Sequence, residues 1–364
     1  MGDLTLQTKL RLAYLDNLKV ALTILVLLHH VGQAYGPTGG AWPVHTETVR
    51  AALLGPFFTV NRSFFMSLFF MISGYFMLAA YERNRVGNFL RSRFVRLGVP
   101  VLAWAAWSLL YRVVTGVHIS GWTDVFSTDH LWYLEHLLLF GIVYALSRRL
   151  RGNRPPLQKA DTPLPSTIAI LAMAAFVAVA SYLIRLWSPI DRWFKLLDFF
   201  SVAFADVPRD LAFFIVGAVA FRKDWLNRYP RRSGFVWLGV GLAAAALCYA
   251  YKLGIRTVAP MSPTTFALVY PAWEALLCVG MCIGLTVLFR EALTFQGRLG
   301  AFLARNQFGA YVLQELVILP IQFGFLMLQL PPLVKFAVVS MLAVPLIFLL
   351  SSLLRRSPLV RAVI

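Results

Sequence analysis

The sequence is poor in acidic residues and in charge of any kind. Only 14% of its 364 residues are charged, and 16 Asp and Glu stand against 34 Lys and Arg. Soluble domains carry roughly 25% charged residues. Apolar residues instead make up 59% of the chain. This composition excludes a soluble enzyme, a disordered chain and a coiled coil, and it predicts a protein that crosses a membrane several times.

Cysteine is also scarce. The three cysteines, Cys248, Cys278 and Cys282, all lie in apolar stretches. Cys278 and Cys282 are one helical turn apart, which is a spacing that a metal can use, but no histidine or acidic residue completes a ligand set. We therefore expect no disulfide framework, no metal site and no bound cofactor.

Ten apolar segments are candidates for transmembrane helices, which need about 20 mainly apolar residues each. They are 13–33, 61–80, 95–114, 130–146, 166–187, 208–221, 235–253, 266–289, 308–328 and 333–354. The predicted fold class is all-α, a polytopic integral membrane protein with about ten transmembrane helices. Residues 1–364 are expected to form a single membrane domain, with no appended soluble domain.

The basic residues predict the orientation of these helices. When both termini are placed in the cytoplasm, most of the Lys and Arg fall in cytoplasmic segments, as the positive-inside rule requires. The basic, proline-rich stretch 148–165 then becomes a cytoplasmic linker between two halves. Topology thus explains the net charge of +18 without a nucleic-acid partner.

The first predicted span carries an unusual polar stripe. Lys19 and His30 are eleven residues apart, so they share one helix face, roughly 16 Å apart along the axis. Asp16, three residues before Lys19, is placed to neutralise it. Ionisable groups inside a membrane are functional candidates, and the imidazoles of His29 and His30 suit proton transfer near neutral pH. The alternative is a hydrogen-bonded packing histidine.

Two further charged features stand out. Arg93 and Arg96, in a run ending Leu-Gly-Val-Pro, are predicted to face the same way, and guanidinium groups suit phosphate. Ordinary cytoplasmic anchoring is the alternative. Glu274 lies inside the eighth span with no basic residue near it in sequence, so it must face protein or a wet cavity. Its carboxylate is a candidate for one of three roles: a base, a group that orients an imidazole, or a receptor for hydroxyls. Asp16 is a second candidate for the group that orients the imidazole.

A cluster of aromatic and polar residues marks the outer end of the fourth span. His130, Trp132 and Glu135 lie there, and sugars stack on aromatic rings. They form either part of the aromatic belt at the membrane interface or one wall of a substrate-binding site. In the second span, Ser73-Gly74 provides a step of small residues that permits close helix contact.

Together these motifs resemble the acyltransferase-3 family of membrane O-acyltransferases. The resemblance rests on Lys19-x10-His30, on Arg93-x-x-Arg96, and on three stretches of sequence: Phe-Phe-Met-Ile-Ser-Gly-Tyr at 69–75, His-Leu-Trp-Tyr-Leu at 130–134 and Phe-Phe-Ile-Val-Gly-Ala at 213–218. Each motif is weak alone, but their order and spacing cover nearly the whole chain. The resemblance implies transfer of an acyl group from cytoplasmic acyl-CoA, a co-substrate, to an extracytoplasmic hydroxyl, usually on a carbohydrate.

The resemblance also implies roles for individual residues. His30 would be the catalytic imidazole with His29 beside it, and Glu274 a functional acidic residue. Arg93, Arg96, Lys19 and Asp16 would serve the donor, and His130, Trp132 and Glu135 the acceptor. The expected location is the cytoplasmic (inner) membrane of a bacterium. One position departs from the family pattern, because Gln314 stands where many relatives carry histidine.

Several alternatives remain open at this point. His30 either deprotonates the acceptor hydroxyl or carries the acyl group itself. Acetyl and succinyl are both plausible acyl groups. A transporter or flippase would also place charges inside the membrane. Against that class, the sequence shows no inverted repeat and no pair of spans interrupted by Gly or Pro.

Overall fold

In the computed structural model of the chain, the described residues are 2–37, 42–44, 49–116, 129–150, 163–196 and 200–364, with the backbone alone for 2–12. Helices dominate this part of the chain. They are α1 (Gly2–Gln33), α2 (Leu54–Arg83), α3 (Val86–Arg93), α4 (Val99–Thr115), α5 (Trp132–Leu150), α6 (Thr167–Arg185), α7 (Val207–Lys223), α8 (Trp225–Arg228), α9 (Arg231–Ala250), α10 (Arg256–Val258), α11 (Pro263–Ala292), α12 (Arg298–Gly324), α13 (Pro332–Leu354) and α14 (Pro358–Val363).

Irregular elements interrupt this helical pattern. Two π-helical turns, Phe94–Gly98 and Tyr251–Ile255, join α3 to α4 and α9 to α10. The antiparallel strands β1 (Phe194–Leu196) and β2 (Phe200–Val202) pair in register, with Phe194 opposite Val202. This short hairpin is the one local departure from the expected all-α class.

Each predicted span overlaps a helix, although α1, α2 and α12 begin 7 to 11 residues before the predicted spans 13–33, 61–80 and 308–328. Within the described part of the chain, seven helical segments are long and apolar enough to cross a membrane. They are Ala13–Gln33, Leu54–Arg83, Val86–Val114, Thr167–Arg185, Arg231–Val258, Pro263–Ala292 and Pro332–Leu354. The helices α5, α7 and α12 are shorter or more polar, so the count of ten and the orientation of the termini stay predictions.

The chain divides into two compact units. The first comprises Met1–Phe69, Pro163–Tyr182 and Asp224–Leu353, and the second comprises Phe70–Thr162, Leu183–Lys223 and Leu354–Ile364. In the first unit, α1 packs against α12 and α11, and α9 packs along α11. A buried apolar cluster fills the space between the end of α1, the middle of α12 and the middle of α13, and includes Leu27, Val31, Ile318 and Ile347.

In the second unit, the small residues of α2 and α7 bring the two helices into backbone contact. A Cβ atom on Gly217 of α7 would clash with the carbonyl oxygen of Met71, and one on Gly74 of α2 would clash with that of Phe214. Small residues allow membrane helices to approach in this way. The close contact predicted from Ser73-Gly74 is therefore confirmed.

Glycine also permits the close approach of α9 and α11 in the first unit. Two glycines of α9, one at the contact and one away from it, allow this packing to be tested. A Cβ atom on Gly241 would lie 2.8 Å from the backbone nitrogen of Met281, whereas one on Gly239 would have no atom within 4 Å. Gly241→Ala must push the helices apart, so we expect it to lower the free energy of unfolding by about 1–3 kcal/mol. Gly239→Ala should raise it by about 0.5–1 kcal/mol, because alanine favours helix.

Thermal unfolding of both purified variants in the same detergent measures these changes. Equal behaviour of the two variants would contradict the packing of α9 on α11.

Candidate functional site

The candidate site begins at the end of α1, in the first unit. The apolar run before His29 and His30 continues the helix to Gln33, so both imidazoles lie about one turn from its end. The ring centroids of the two histidines are 6.0 Å apart. His29 is buried and His30 is half-buried.

His30 is held by a glutamine from α12. Its Nδ1 atom lies 2.7 Å from Oε1 of Gln314, which is fully buried. The side-chain nitrogen of Gln314 donates to the carbonyl oxygen of Tyr311 at 3.0 Å. A backbone carbonyl only accepts hydrogen bonds, so the amide must turn its nitrogen towards Tyr311 and its oxygen towards His30.

This arrangement determines the protonation of the imidazole. An amide oxygen only accepts, so Nδ1 of His30 must carry the hydrogen. In the neutral ring the lone pair then lies on Nε2. Nε2 is therefore the atom that can take a proton or attack a carbonyl carbon. The group at Nδ1 is Gln314. The expectation that Glu274 or Asp16 orients an imidazole stays a prediction.

A tryptophan from the loop after α1 covers one face of the His30 ring. The rings of Trp42 and His30 stack at 5.4 Å between centroids, with an interplanar angle of 22°. The Trp42 indole donates from Nε1 to Oε1 of Gln322 at 2.7 Å, and the nitrogen of Gln322 donates to the Val31 carbonyl oxygen at 3.0 Å. Two glutamines of α12 thus fix the imidazole edge and the aromatic ring above it.

His29 has a different environment. Its ring lies among three phenyl rings of α2, with centroid distances of 6.3 Å to Phe57, 5.1 Å to Phe58 and 5.2 Å to Phe65. Its Nδ1 atom is buried and has no hydrogen-bond partner among the described residues. The two neighbouring histidines are therefore not equivalent: one is oriented by an amide, and the other lies in an aromatic cage.

The polar residues at the other end of α1 form the ion pair that the sequence predicts. Lys19 Nζ lies 2.7 Å from Asp16 Oδ1, and both side chains are partly exposed. Asn17 tethers this part of α1 to the segment after α11, since its side-chain nitrogen donates to the carbonyl oxygens of Leu293 at 2.7 Å and Phe295 at 3.1 Å. The expectation that Asp16 neutralises Lys19 is confirmed.

Glu274 is 2% exposed, in the middle of α11. This confirms the prediction that it faces protein or a cavity. Glu315, next to Gln314 on α12, is also buried. Among the described residues of the first unit, Glu274 and Glu315 are thus two buried carboxylates.

The second unit holds the predicted donor arginines, which differ in their surroundings. Arg93 ends α3, is half-buried and stacks its guanidinium over the Phe89 ring at 5.3 Å. Its Nε atom is buried without a partner among the described residues. Arg96 lies in the π-helical turn and is exposed. The spacing rule assumed a regular α-helix, which the wider turn interrupts.

The three predicted acceptor residues also lie in the second unit. Trp132 joins an aromatic cluster with Phe70 and Trp193, with ring centroids 6.2 Å and 5.5 Å away. Glu135 accepts a hydrogen bond from the backbone nitrogen of Ser201 in β2 at 3.0 Å. His130 packs edge-on against a tryptophan ring, Trp104. One oxygen of Glu135 is thus engaged in holding the β1–β2 hairpin.

Sequence reasoning missed two residues of this arrangement, Trp42 and Gln322. Trp42 lies in a loop, and Gln322 is a single amide in an apolar run. Gln314 attracted attention only as a departure from a pattern. The only feature of the sequence that pointed to these residues was the presence of amide side chains within an apolar span. Buried polar groups need hydrogen-bond partners, so such amides indicate polar contacts between helices.

Long apolar helices and a half-buried, oriented imidazole define a multi-pass membrane protein with a candidate catalytic centre. The acyltransferase-3 family model, described as an acyltransferase domain, matches residues 12–352. The chain belongs to this family, as the motifs suggested, and the family supports an acyltransferase.

Curated relatives agree with this assignment at low identity. The chain is 24% identical over 269 residues to the glucans biosynthesis protein C of Salmonella gallinarum, and the match covers 67% of this chain. The proteins of the same name from Salmonella heidelberg and Shigella dysenteriae are each 25% identical to it, over 266 and 268 residues. The matches span 66% of the length of these relatives. No solved structure matches the chain.

The orientation of Gln314 yields a direct spectroscopic prediction. In protein with ¹⁵N-labelled histidine, the neutral ring of His30 should show protonated Nδ1 and unprotonated Nε2. Gln314→Leu removes the acceptor, so this tautomer should lose its preference. The signals that the His30→Gln variant lacks are assigned to His30. Protonated Nε2 in the wild-type protein would contradict the arrangement.

Proposed function

We propose that the protein passes an acetyl or succinyl group from cytoplasmic acyl-CoA to a hydroxyl of an extracytoplasmic glycan. Membership of the acyltransferase-3 family supports the reaction class. The name of the relatives, glucans biosynthesis protein C, supports a carbohydrate acceptor. The observation that carries the proposal is the oriented imidazole of His30, whose Nδ1 lies against Gln314.

The chemistry assigned to His30 follows from its tautomer. As the acceptor hydroxyl oxygen attacks the thioester carbon, Nε2 takes the hydroxyl proton. The carbon–sulfur bond breaks, and the proton returns to the CoA thiolate. The products are the acyl ester and free CoA.

A second route uses the same atom as the nucleophile. Nε2 attacks the thioester carbon, and CoA leaves as the thiolate. The hydroxyl oxygen then attacks the acyl carbon, the bond from that carbon to Nε2 breaks, and the hydroxyl proton passes to the thiolate. In both routes Nδ1 keeps its hydrogen and its bond to Gln314. The routes differ in one observable, because only the second leaves an acylated protein when donor is present and acceptor is absent.

The arginines of the second unit are assigned to the phosphates of the donor. In the predicted orientation, the Lys19–Asp16 pair and the Arg93–Arg96 segment lie on the cytoplasmic side. Guanidinium groups bind phosphate through paired hydrogen bonds, and CoA carries phosphates. Arg93 suits this role because its Nε is buried without a protein partner among the described residues. No resident metal or cofactor is part of the proposal.

The acceptor is assigned to the predicted outer side. Trp132 offers an aromatic face to a sugar ring, with His130 and Glu135 beside it in sequence. We assign the buried carboxylate of Glu274 to an acceptor hydroxyl, because a carboxylate accepts such hydrogens. The proposed location is the inner membrane of a bacterium.

A transfer assay tests the proposal. The wild-type protein and His30→Ala are purified into nanodiscs, and release of CoA thiol is measured from acetyl-CoA and from succinyl-CoA, with and without glucan. We expect release in the wild type with one donor, and a loss of at least about 100-fold in His30→Ala, since acid–base groups contribute about 10²–10⁴-fold. Thermal unfolding checks that the variant is folded.

The same assay contains a matched test of the donor side. Arg93→Gln should raise the KM for acyl-CoA about 10- to 100-fold, as expected for a charged hydrogen bond. Arg91→Gln changes an exposed arginine two residues away and should have little effect. No release of CoA from any donor, or full activity in His30→Ala, would contradict the proposal. Uptake of a glycan without acyl transfer would indicate a transporter.

A further inference from the structure

Asn61, in the first half of α2, is a buried polar residue to which nothing above assigns a role. It is 5% exposed, and its side-chain nitrogen has no hydrogen-bond partner among the described residues. The great majority of buried polar groups are hydrogen-bonded, so such an amide needs an explanation. Asn61 therefore offers a hydrogen-bond donor to a partner beyond the described residues.

The position of Asn61 on its helix relates it to the histidines. Asn61 follows Phe58 by three residues and precedes Phe65 by four, so the three share one face of α2. Phe58 and Phe65 are the rings that lie nearest to His29, whose Nδ1 atom also lacks a partner within the described chain. The His30 ring is 6.0 Å from that of His29. All these residues belong to the first unit.

The chemistry of the amide nitrogen narrows the choice of partner. An NH₂ group only donates hydrogen bonds, so its complement is an atom that accepts. A sugar hydroxyl both donates and accepts, whereas a carbonyl oxygen only accepts. The phenyl rings beside His29 provide an apolar environment in which a hydrogen bond to developing negative charge is strongest. These features favour the carbonyl oxygen of an acyl group.

We propose that Asn61 Nδ2 donates a hydrogen bond to the thioester carbonyl oxygen and stabilises the negative charge that forms on it. This proposal rests on the proposed acyl transfer. When the nucleophile attacks the carbon, the carbonyl electrons move onto the oxygen, and Asn61 holds that oxygen until the carbonyl re-forms and the thiolate leaves. Asn61 supplies no proton, and the atoms balance as in the reaction above.

The test measures the Tm and the transfer rate of one variant. Loss of a purely structural asparagine would lower both. Asn61→Leu keeps the side-chain size and removes the donor. Because the unliganded protein gains nothing from this nitrogen, its Tm should stay within about 1 °C of the wild type or rise. The transfer rate should fall about 100- to 1,000-fold, as for loss of one such donor, with the KM for acyl-CoA changed much less.

Ser63 provides the matched control two residues along α2. It is fully buried, but its hydroxyl already donates to the Thr59 carbonyl oxygen at 2.7 Å. Ser63→Ala should therefore keep the transfer rate. A lower Tm together with a lower rate in Asn61→Leu would overturn the proposal, because it would show a structural amide. A wild-type rate in Asn61→Leu would overturn it as well, and would leave a buried water as the partner of the amide.

The failure of this proposal is distinguishable from failure of the transfer reaction. If the wild-type protein releases no CoA from any donor, the proposed function fails, and with it the role of Asn61 in that reaction. The Tm then still decides whether Asn61 is a ligand-facing group. An unchanged or raised Tm supports a ligand site at this amide, and a lowered Tm overturns it.

Discussion

The candidate site depends on the hydrogen bond between His30 Nδ1 and Gln314 Oε1. This bond joins residues 284 positions apart and connects α1 to α12 at the point where the chemistry is assigned. Its direction is fixed by a second bond, from Gln314 to the Tyr311 carbonyl oxygen within α12. Removal of the amide would leave a buried donor unsatisfied, at a cost of about 1–3 kcal/mol. The hydrogen bond within α12 thus determines that Nε2 is the reactive atom of His30 in α1.

The use of an amide rather than a carboxylate has a chemical consequence. In a Ser-His-Asp triad, the carboxylate holds the tautomer and also stabilises the imidazolium that forms. Gln314 fixes the tautomer in the same way but contributes no charge. The imidazolium must therefore be stabilised by other groups, or its lifetime must be short. The same holds for the acyl-imidazole route, because an imidazole that is acylated at Nε2 and keeps its hydrogen at Nδ1 is also a cation.

Helix α12 shows why function and span prediction conflict. It carries buried Asn306, Gln307, Gln314 and Glu315, and it is not among the segments apolar enough to be counted as spans. The site needs these polar groups, and each lowers the apolarity by which spans are recognised. Helix α13 is apolar enough to be counted as a span although it buries Lys335, Ser340 and Ser351.

The sequence predicted much of the fold because apolar runs of helical length report burial directly. It located ten helical segments, the Lys19–Asp16 pair and the close contact at Gly74. It could not predict that Trp42 would lie on the His30 ring, because a loop residue has no periodicity. It also missed the π-helical turn after Arg93, since a single inserted residue does not disturb the apolar pattern. The pairing of Gln314 with His30 could be recognised only from the tertiary fold, because no local sequence pattern around either residue indicates the other as its partner.

A double-mutant cycle on the rate of CoA release tests the central claim that Gln314 acts through His30. Gln314→Leu alone should reduce the rate about 10- to 100-fold, as for residues that orient a reactive group. If its whole effect passes through the imidazole, Gln314→Leu combined with His30→Ala should be as slow as His30→Ala alone. Losses that multiply in the double variant would show independent action, and would contradict the account.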